Sequence, residues 1–231
     1  MIGVKTFVNF AYYIFLLLII FLSFFTLKRN LQVSPKKIKI YLTFVITLFL
    51  LRHIGLFVLC ILQSSNILFY LKPIIYLNHI AMPLIVLAIT YVYLRSETLK
   101  FTGSYIILSV VVLIYSCVIG MSKLTIEVSQ TYGFIVNISN ATEMYLLSLI
   151  LMGIMLVLNV ILLDKPYANK TGIWFIIISI VVVMLEEVII LGGIKVFPYS
   201  VIGELIFLII INAVLNGFER SKLNWNYVTR M

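Results

Sequence analysis

The sequence predicts an all-α, polytopic integral membrane protein of seven transmembrane helices, and three observations carry that prediction. Apolar residues make up 63% of the 231 residues against 11% charged, and the mean hydropathy is +1.19. Both values lie far outside the soluble range. Seven apolar runs, each close to the ~20 residues needed to cross a ~30 Å hydrocarbon core, follow one another along the chain. The lysines and arginines fall in alternate loops, as in membrane proteins of fixed topology.

The spans run over about 7–27, 40–62, 71–94, 105–121, 144–163, 171–191 and 198–217, with a short basic tail at 218–231. The first lacks a basic n-region beyond Lys5 and a small-residue cleavage site, so it reads as a retained span. A QSSN turn separates the second and third. Lys72-Pro73 opens the third, where proline loses no needed N–H, and Pro83 within the run predicts a kink. The loop RSETLK leads to the fourth span. The interval from Ser122 to Thr142 is the longest loop; it mixes β-branched residues with Gly133, Asn137 and Asn140 and reads as irregular, surface-lying or re-entrant. DKPYANK closes the fifth span, Gly192-Gly193 ends the sixth, and Pro198 opens the seventh. Trp225 and Tyr227 in the tail suit the membrane interface. No internal repeat is visible, which disfavours inverted-repeat transporter architectures.

One set of loops holds Lys28, Arg29, Lys36, Lys37, Lys39, Arg95, Lys100, Lys165, Lys170, Arg220, Lys222 and Arg230. The other holds Lys5, Lys123, Lys195 and the borderline Lys72. This bias predicts the N-terminus outside and the C-terminus in the cytoplasm. It also accounts for the net charge of +9 without nucleic acid, since no basic patch has a fold behind it. Richness in Ile, Leu, Lys and Asn suggests an AT-rich bacterial genome and an inner-membrane location, so the sequons at Asn137, Asn140 and Asn169 carry no glycans. Cys60 and Cys117 lie in apolar runs without CxxC spacing and read as small buried residues.

Six ionisable residues fall inside the spans: Arg52, His53, His79, Glu186, Glu187 and Glu204. A charge there costs about 2.5–3.5 kcal/mol on insertion scales, so such groups pair, neutralise or line water. Counting from the outer ends, Glu187 lies roughly 6–8 Å deep, Glu204 roughly 9 Å and His79 roughly 12 Å. Arg52 and His53 sit near mid-span, and Glu143 opens the fifth span. The inner halves read as almost purely apolar. That common depth predicts a polar ligand-binding pocket open to the outside. The plainer reading of Arg52 with one glutamate is an interhelical ion pair that holds the bundle. Glu186 and Glu187 point about 100° apart on a helix and cannot both face one point. A pH-sensing role requires a histidine beside a carboxylate.

Enzyme signatures are absent. No P-loop, CxxC or HExxH occurs, no nucleophile lies beside a histidine, and no spacing predicts a metal or other cofactor. The Glu186-Glu187 pair fits the EExxxR element of CAAX-type intramembrane proteases only in part, because Leu191 stands at the arginine position. The seventh span holds no lysine for a retinal linkage.

The segment LKPIIYLNHIAMPLIVLAITYVYLR, with its mid-span proline and aromatic exit, resembles a segment of the seven-span sensor region at the N-terminus of many bacterial histidine kinases. The run IWFIIISIVVVMLEEVIILGGIKVFPYSVIGELIFLIIINAVLNGFER resembles that region's last hairpin. The resemblance covers about residues 5–220 and implies a receptor for an external signal. The chain ends at Met231 without the kinase output domain, so a membrane or cytoplasmic protein partner is expected to carry the response. The expected function is therefore a sensor-like receptor for an extracytoplasmic ligand or pH. A small-solute transporter or its membrane subunit, and a scaffold or immunity-type protein, are the alternatives.

Overall fold

Helical structure dominates because the spans have no water to satisfy exposed backbone groups. The structure, a computed structural model, describes residues 2–62, 67–94, 102–129, 132–194 and 197–228. Its elements are α1 (Ile2–Val33), α2 (Lys36–Ile61), α3 (Leu68–Ile75), α4 (Asn78–Leu94), α5 (Thr102–Met121), β1 (Leu124–Ser129), β2 (Gly133–Ile138), α6 (Ala141–Leu162), α7 (Lys170–Leu191) and α8 (Ile202–Val228). With α3 and α4 taken as one crossing, seven segments of the described residues are long and apolar enough to span a membrane. The QSSN turn and the RSETLK loop lie outside the described residues, as do the side chains of Lys5, Trp225 and Tyr227.

The third crossing is the centre of the bundle. Its apolar window is 72% buried, against 17% for α5. A helix apolar on every side belongs in the interior, and α4 touches α2, α5, α6, α7 and α8. α1 packs on α2 and α8, while α5 rests on α4. Large apolar side chains on the outer faces, such as Phe21, Phe24, Trp174 and Phe175, are exposed, as lipid contact requires.

Several boundaries differ from the sequence reading. The third crossing begins at Leu68, which places Pro73 inside α3. The helix breaks at Tyr76–Leu77, while Pro83 lies within α4. The break sits where other helices supply donors for the carbonyls it releases. Leu77 N–H bonds Ile74 O and His79 N–H bonds Tyr76 O. The freed Pro73 O accepts from the Tyr115 hydroxyl, and the freed Ile75 O accepts from Arg52 Nε at 2.7 Å. At the seventh crossing, Phe197–Tyr199 form a bend and α8 starts at Ile202, four residues after Pro198. The expected tail continues α8 to Val228. Cys117 is exposed on the lipid face and Cys60 only half-buried, so neither is the buried residue expected.

The expected irregular loop is a β-hairpin. β1 and β2 pair antiparallel with Leu124 opposite Ile138 and Ser129 opposite Gly133. Its base closes where Ser139 N–H bonds Lys123 O at 2.9 Å and Lys123 N–H bonds Ser139 Oγ at 3.0 Å. Gly133 has φ +72°, and a Cβ there would lie 2.5 Å from Leu59 O. Only glycine fits both the left-handed backbone and the approach to α2. Lys72, buried at the same end, donates to Ser122 O at 2.6 Å, just past the C-terminus of α5, where a cation is favoured.

The opposite end carries Lys28, Arg29, Lys36, Lys39, Lys165 and Lys170 and is called the basic end. Its half of the bundle is less apolar than the sequence reading held. Asn212 Nδ2 donates to Thr26 Oγ1 at 2.6 Å, Thr90 Oγ1 donates to Asn159 Oδ1 at 3.0 Å, and Asn30 Nδ2 donates to Thr43 Oγ1 at 2.9 Å. These amides carry no charge and find partners within the bundle, which makes their burial tolerable.

Candidate functional site

The hairpin end is closed by tyrosines. Val136 of β2 is fully buried and turns its N–H and C=O away from β1. Its N–H donates to Tyr199 Oη at 2.7 Å, and its oxygen accepts from Tyr199 and Tyr76 at 3.1 Å each. Burial pushes the Tyr199 phenol above its usual pKa, with smaller upward contributions from Tyr145 and Cys60 opposed by the Val136 amide and Arg52. The neutral hydroxyl can therefore both donate and accept. Tyr12 adds an aromatic seal against Tyr132 and Phe197.

Beneath this cap the six intramembrane residues separate into three arrangements. The first holds Arg52, His53 and Glu204, none more than 2% exposed. Glu204 lies in the first turn of α8, where a carboxylate is favoured. Arg52 Nη1 is 2.5 Å from both Glu204 oxygens and 3.1 Å from Ser200 O. With Nε on Ile75, one guanidinium joins α2, α3 and the entry to α8. His53 Nδ1 is 2.8 Å from Phe49 O. A carbonyl only accepts, so Nδ1 carries the proton. His53 Nε2 then lies 2.9 Å from Glu204 Oε2, but off the line of a hydrogen bond.

The second arrangement holds His79 and Glu187. Ser148 Oγ of α6 donates to Glu187 Oε1 at 2.7 Å. His79 Nδ1 lies 3.8 Å from the same oxygen, beyond hydrogen-bonding range. The ring stacks on Tyr76 and meets the edge of Tyr145 at 4.9 Å. Both His79 nitrogens and Glu187 Oε2 are buried without a hydrogen-bond partner. Asn78, the preceding residue, donates to Ser200 Oγ at 3.3 Å and links the two groups.

The third is Glu186 alone. Its carboxylate accepts from the N–H groups of Val201, Ile202 and Gly203 at 2.9, 3.2 and 2.8 Å. It supplies the cap that α8 lacks from its own preceding residues. A Cβ on Gly203 would overlap Val183 and crowd Glu186 Oε2, so glycine permits the approach. Glu186 thus sits apart from the other five, as the angular offset from Glu187 requires. The supporting residues Tyr76, Asn78, Ser148, Tyr199 and Ser200 were missed in the sequence. Only the depth of Ser148, level with Glu187 on the adjacent antiparallel span, offered a signal.

The chain matches no protein-family model and no curated protein.

Hollows open at several places in the bundle, among them one of about 230 Å³ lined by Glu186, Phe197 and Tyr199. A vestibule of about 160 Å³ at the hairpin end is lined by Asn137, Thr142, Tyr145, Pro198 and Tyr199, among others. The Tyr145 ring separates it from His79. A cleft of about 260 Å³ lies between α5 and α6 with His79 and Ser148 in its lining. Another, of about 530 Å³, lies at the basic end among Tyr93, Asn169, Val214 and Phe218. Among the described residues no three His, Cys, Asp or Glu side chains converge as a metal site. Two histidines stand beside carboxylates, His53 by Glu204 and His79 by Glu187, and neither pair is hydrogen-bonded.

Proposed function

We propose that this chain is a seven-span receptor module of a bacterial inner membrane, with its N-terminus outside and its C-terminus in the cytoplasm. It responds to an extracytoplasmic ligand or to pH and passes the response to a partner protein. The observation that carries the reading is the His79–Glu187 pair, of which both ring nitrogens and Glu187 Oε2 are buried without partners beneath the clamped hairpin. Buried polar groups are nearly always satisfied. The two side chains lie 3.8 Å apart, and a closer approach would join them by a hydrogen bond. A proton taken up by the pair provides a donor between the two side chains, which draws Glu187 from Ser148 toward His79. Tyr76 and Tyr145 then carry the movement to the hairpin. The groups that face this pair are Tyr76 from α3, Tyr145 and Ser148 from α6, Glu186 beside Glu187 on α7, Arg52 from α2, Tyr115 from α5 and Glu204 from α8. A signal shifts an equilibrium between two such arrangements only by its differential affinity for them.

Hydrogen exchange of residues 124–138 in lipid nanodiscs, from about pH 5 to pH 8, tests it. The hairpin is expected to change protection with pH in the wild type and in Glu186→Gln, and to lose that dependence in His79→Gln and Glu187→Gln. An identical profile in all four proteins overturns the reading.

A transporter is the second reading, favoured by hollows at both ends with the His79–Glu187 pair between them. Solute or proton flux into liposomes holding only this chain distinguishes it.

A further inference from the structure

We propose that the cleft between α5 and α6 binds an uncharged, membrane-dissolved molecule with an apolar body and one hydroxyl or carbonyl oxygen, seated against His79. The site is distinct from the vestibule and does not rest on the receptor reading.

The cleft exists because α5 leans on α4 and leaves a gap to α6. Ile106, Val110 and Ile114 line it and are 67%, 52% and 40% exposed. Its mouth therefore opens to the lipid. From the hairpin end the Tyr145 ring stands across the approach to His79, so a ligand enters sideways from the bilayer. The walls are apolar and exclude an ion. A cavity of ~150 Å³ holds benzene, so about 260 Å³ accommodates roughly ten non-hydrogen atoms.

What makes this more than a gap for an acyl chain is its floor. His79 is 6% exposed, and neither ring nitrogen has a partner. The other polar group in the lining, Ser148, is already committed to Glu187. A neutral imidazole offers one donor and one acceptor, so a hydroxyl or a carbonyl can satisfy it. An acyl tail fills the walls and leaves the ring as it is. The ligand's oxygen, delivered at the depth of His79, supplies the missing hydrogen bond once the ring, held between Tyr76 and Tyr145, turns a nitrogen toward the cleft.

The test is photolabelling of the full chain in nanodiscs with a diazirine-bearing aliphatic alcohol. Decanol and decane are the competitors, and peptide mapping is the readout. Saturable labelling is expected on residues 106–114 and 144–151, with decanol displacing the probe at about tenfold lower concentration than decane, the worth of one hydrogen bond. His79→Phe keeps a ring of similar size and should make the two competitors equal. Leu147→Trp, on the cleft wall, should abolish labelling of a helical, monodisperse protein. Labelling that does not saturate or spreads over α1, equal displacement by both competitors in the wild type, or unchanged labelling in Leu147→Trp each overturns the proposal.

Discussion

Arg52 Nε donates to the Ile75 carbonyl at 2.7 Å while Nη1 of the same side chain holds both oxygens of Glu204. The residue that neutralises the buried acid thus also closes the break in the central span.

Arg52→Met leaves Glu204 buried without its counter-charge and Ile75 O without a donor. Such a loss costs about 3–5 kcal/mol. Replacing both members, as Arg52→Met with Glu204→Met, is expected to recover the part due to the unpaired charge, while the Ile75 and Ser200 carbonyls stay without their donor. Chemical unfolding in detergent measures both. Arg52→Lys restores charge but not the fork, so it should fall between.

Glu186→Ala removes the acceptor of three N–H groups at the start of α8. A stability loss of about 1–3 kcal/mol is expected, with faster amide exchange at residues 201–203. Glu186→Gln keeps an acceptor oxygen and should lose less.

Tyr199→Phe leaves the buried Val136 N–H unpaired and should cost about 1–3 kcal/mol, seen as faster exchange across β2. The pH dependence has a definite sign. Tyr199 lies between spans, and burial raises its pKa above the ordinary value, which is about 10. The folded state therefore favours the protonated phenol. Its contribution is complete below about pH 10 and declines as pH rises above that value. The difference between wild type and Tyr199→Phe should be constant through neutral pH and shrink on the alkaline side.

Gly133→Ala places a methyl group against Leu59 O at a positive φ. It should detach the hairpin from α2, raise exchange over residues 124–138 and leave the helices intact by circular dichroism. Unchanged hairpin protection would show that the close approach to α2 is unimportant.

Hydropathy made the crossings legible, because hydrocarbon enforces helices of a set length. It made depth legible too: Arg52 and Glu204 sit at adjacent levels, and the ion pair was one of the readings they allowed. Facing was not legible. Glu186 and Glu187 look alike in sequence, yet one caps α8 and the other meets Ser148 and His79. The break at Tyr76–Leu77 was missed because the proline signal pointed to Pro83, while the stabilising donors come from Arg52 and Tyr115 on other helices. The hairpin was foreshadowed by β-branched residues around Gly133, but short strands flanked by spans give a weak periodic signal. Asn159 and Asn212 were overlooked in the basic half because they carry no charge.

The Arg52–Glu204 bridge joins residues 152 positions apart. At the usual pace of synthesis, about 5–20 residues per second, roughly 8–30 s pass between the making of the two. Throughout that interval the second helix carries a cation with no matching anion in the bilayer. Until Glu204 arrives that helix bears the cost of the charge, about 2.5–3.5 kcal/mol on insertion scales, or lessens it by snorkelling. Any nascent chain stopped before Glu204 remains unable to complete its own centre, a molecular criterion by which a cell can tell unfinished copies from finished ones.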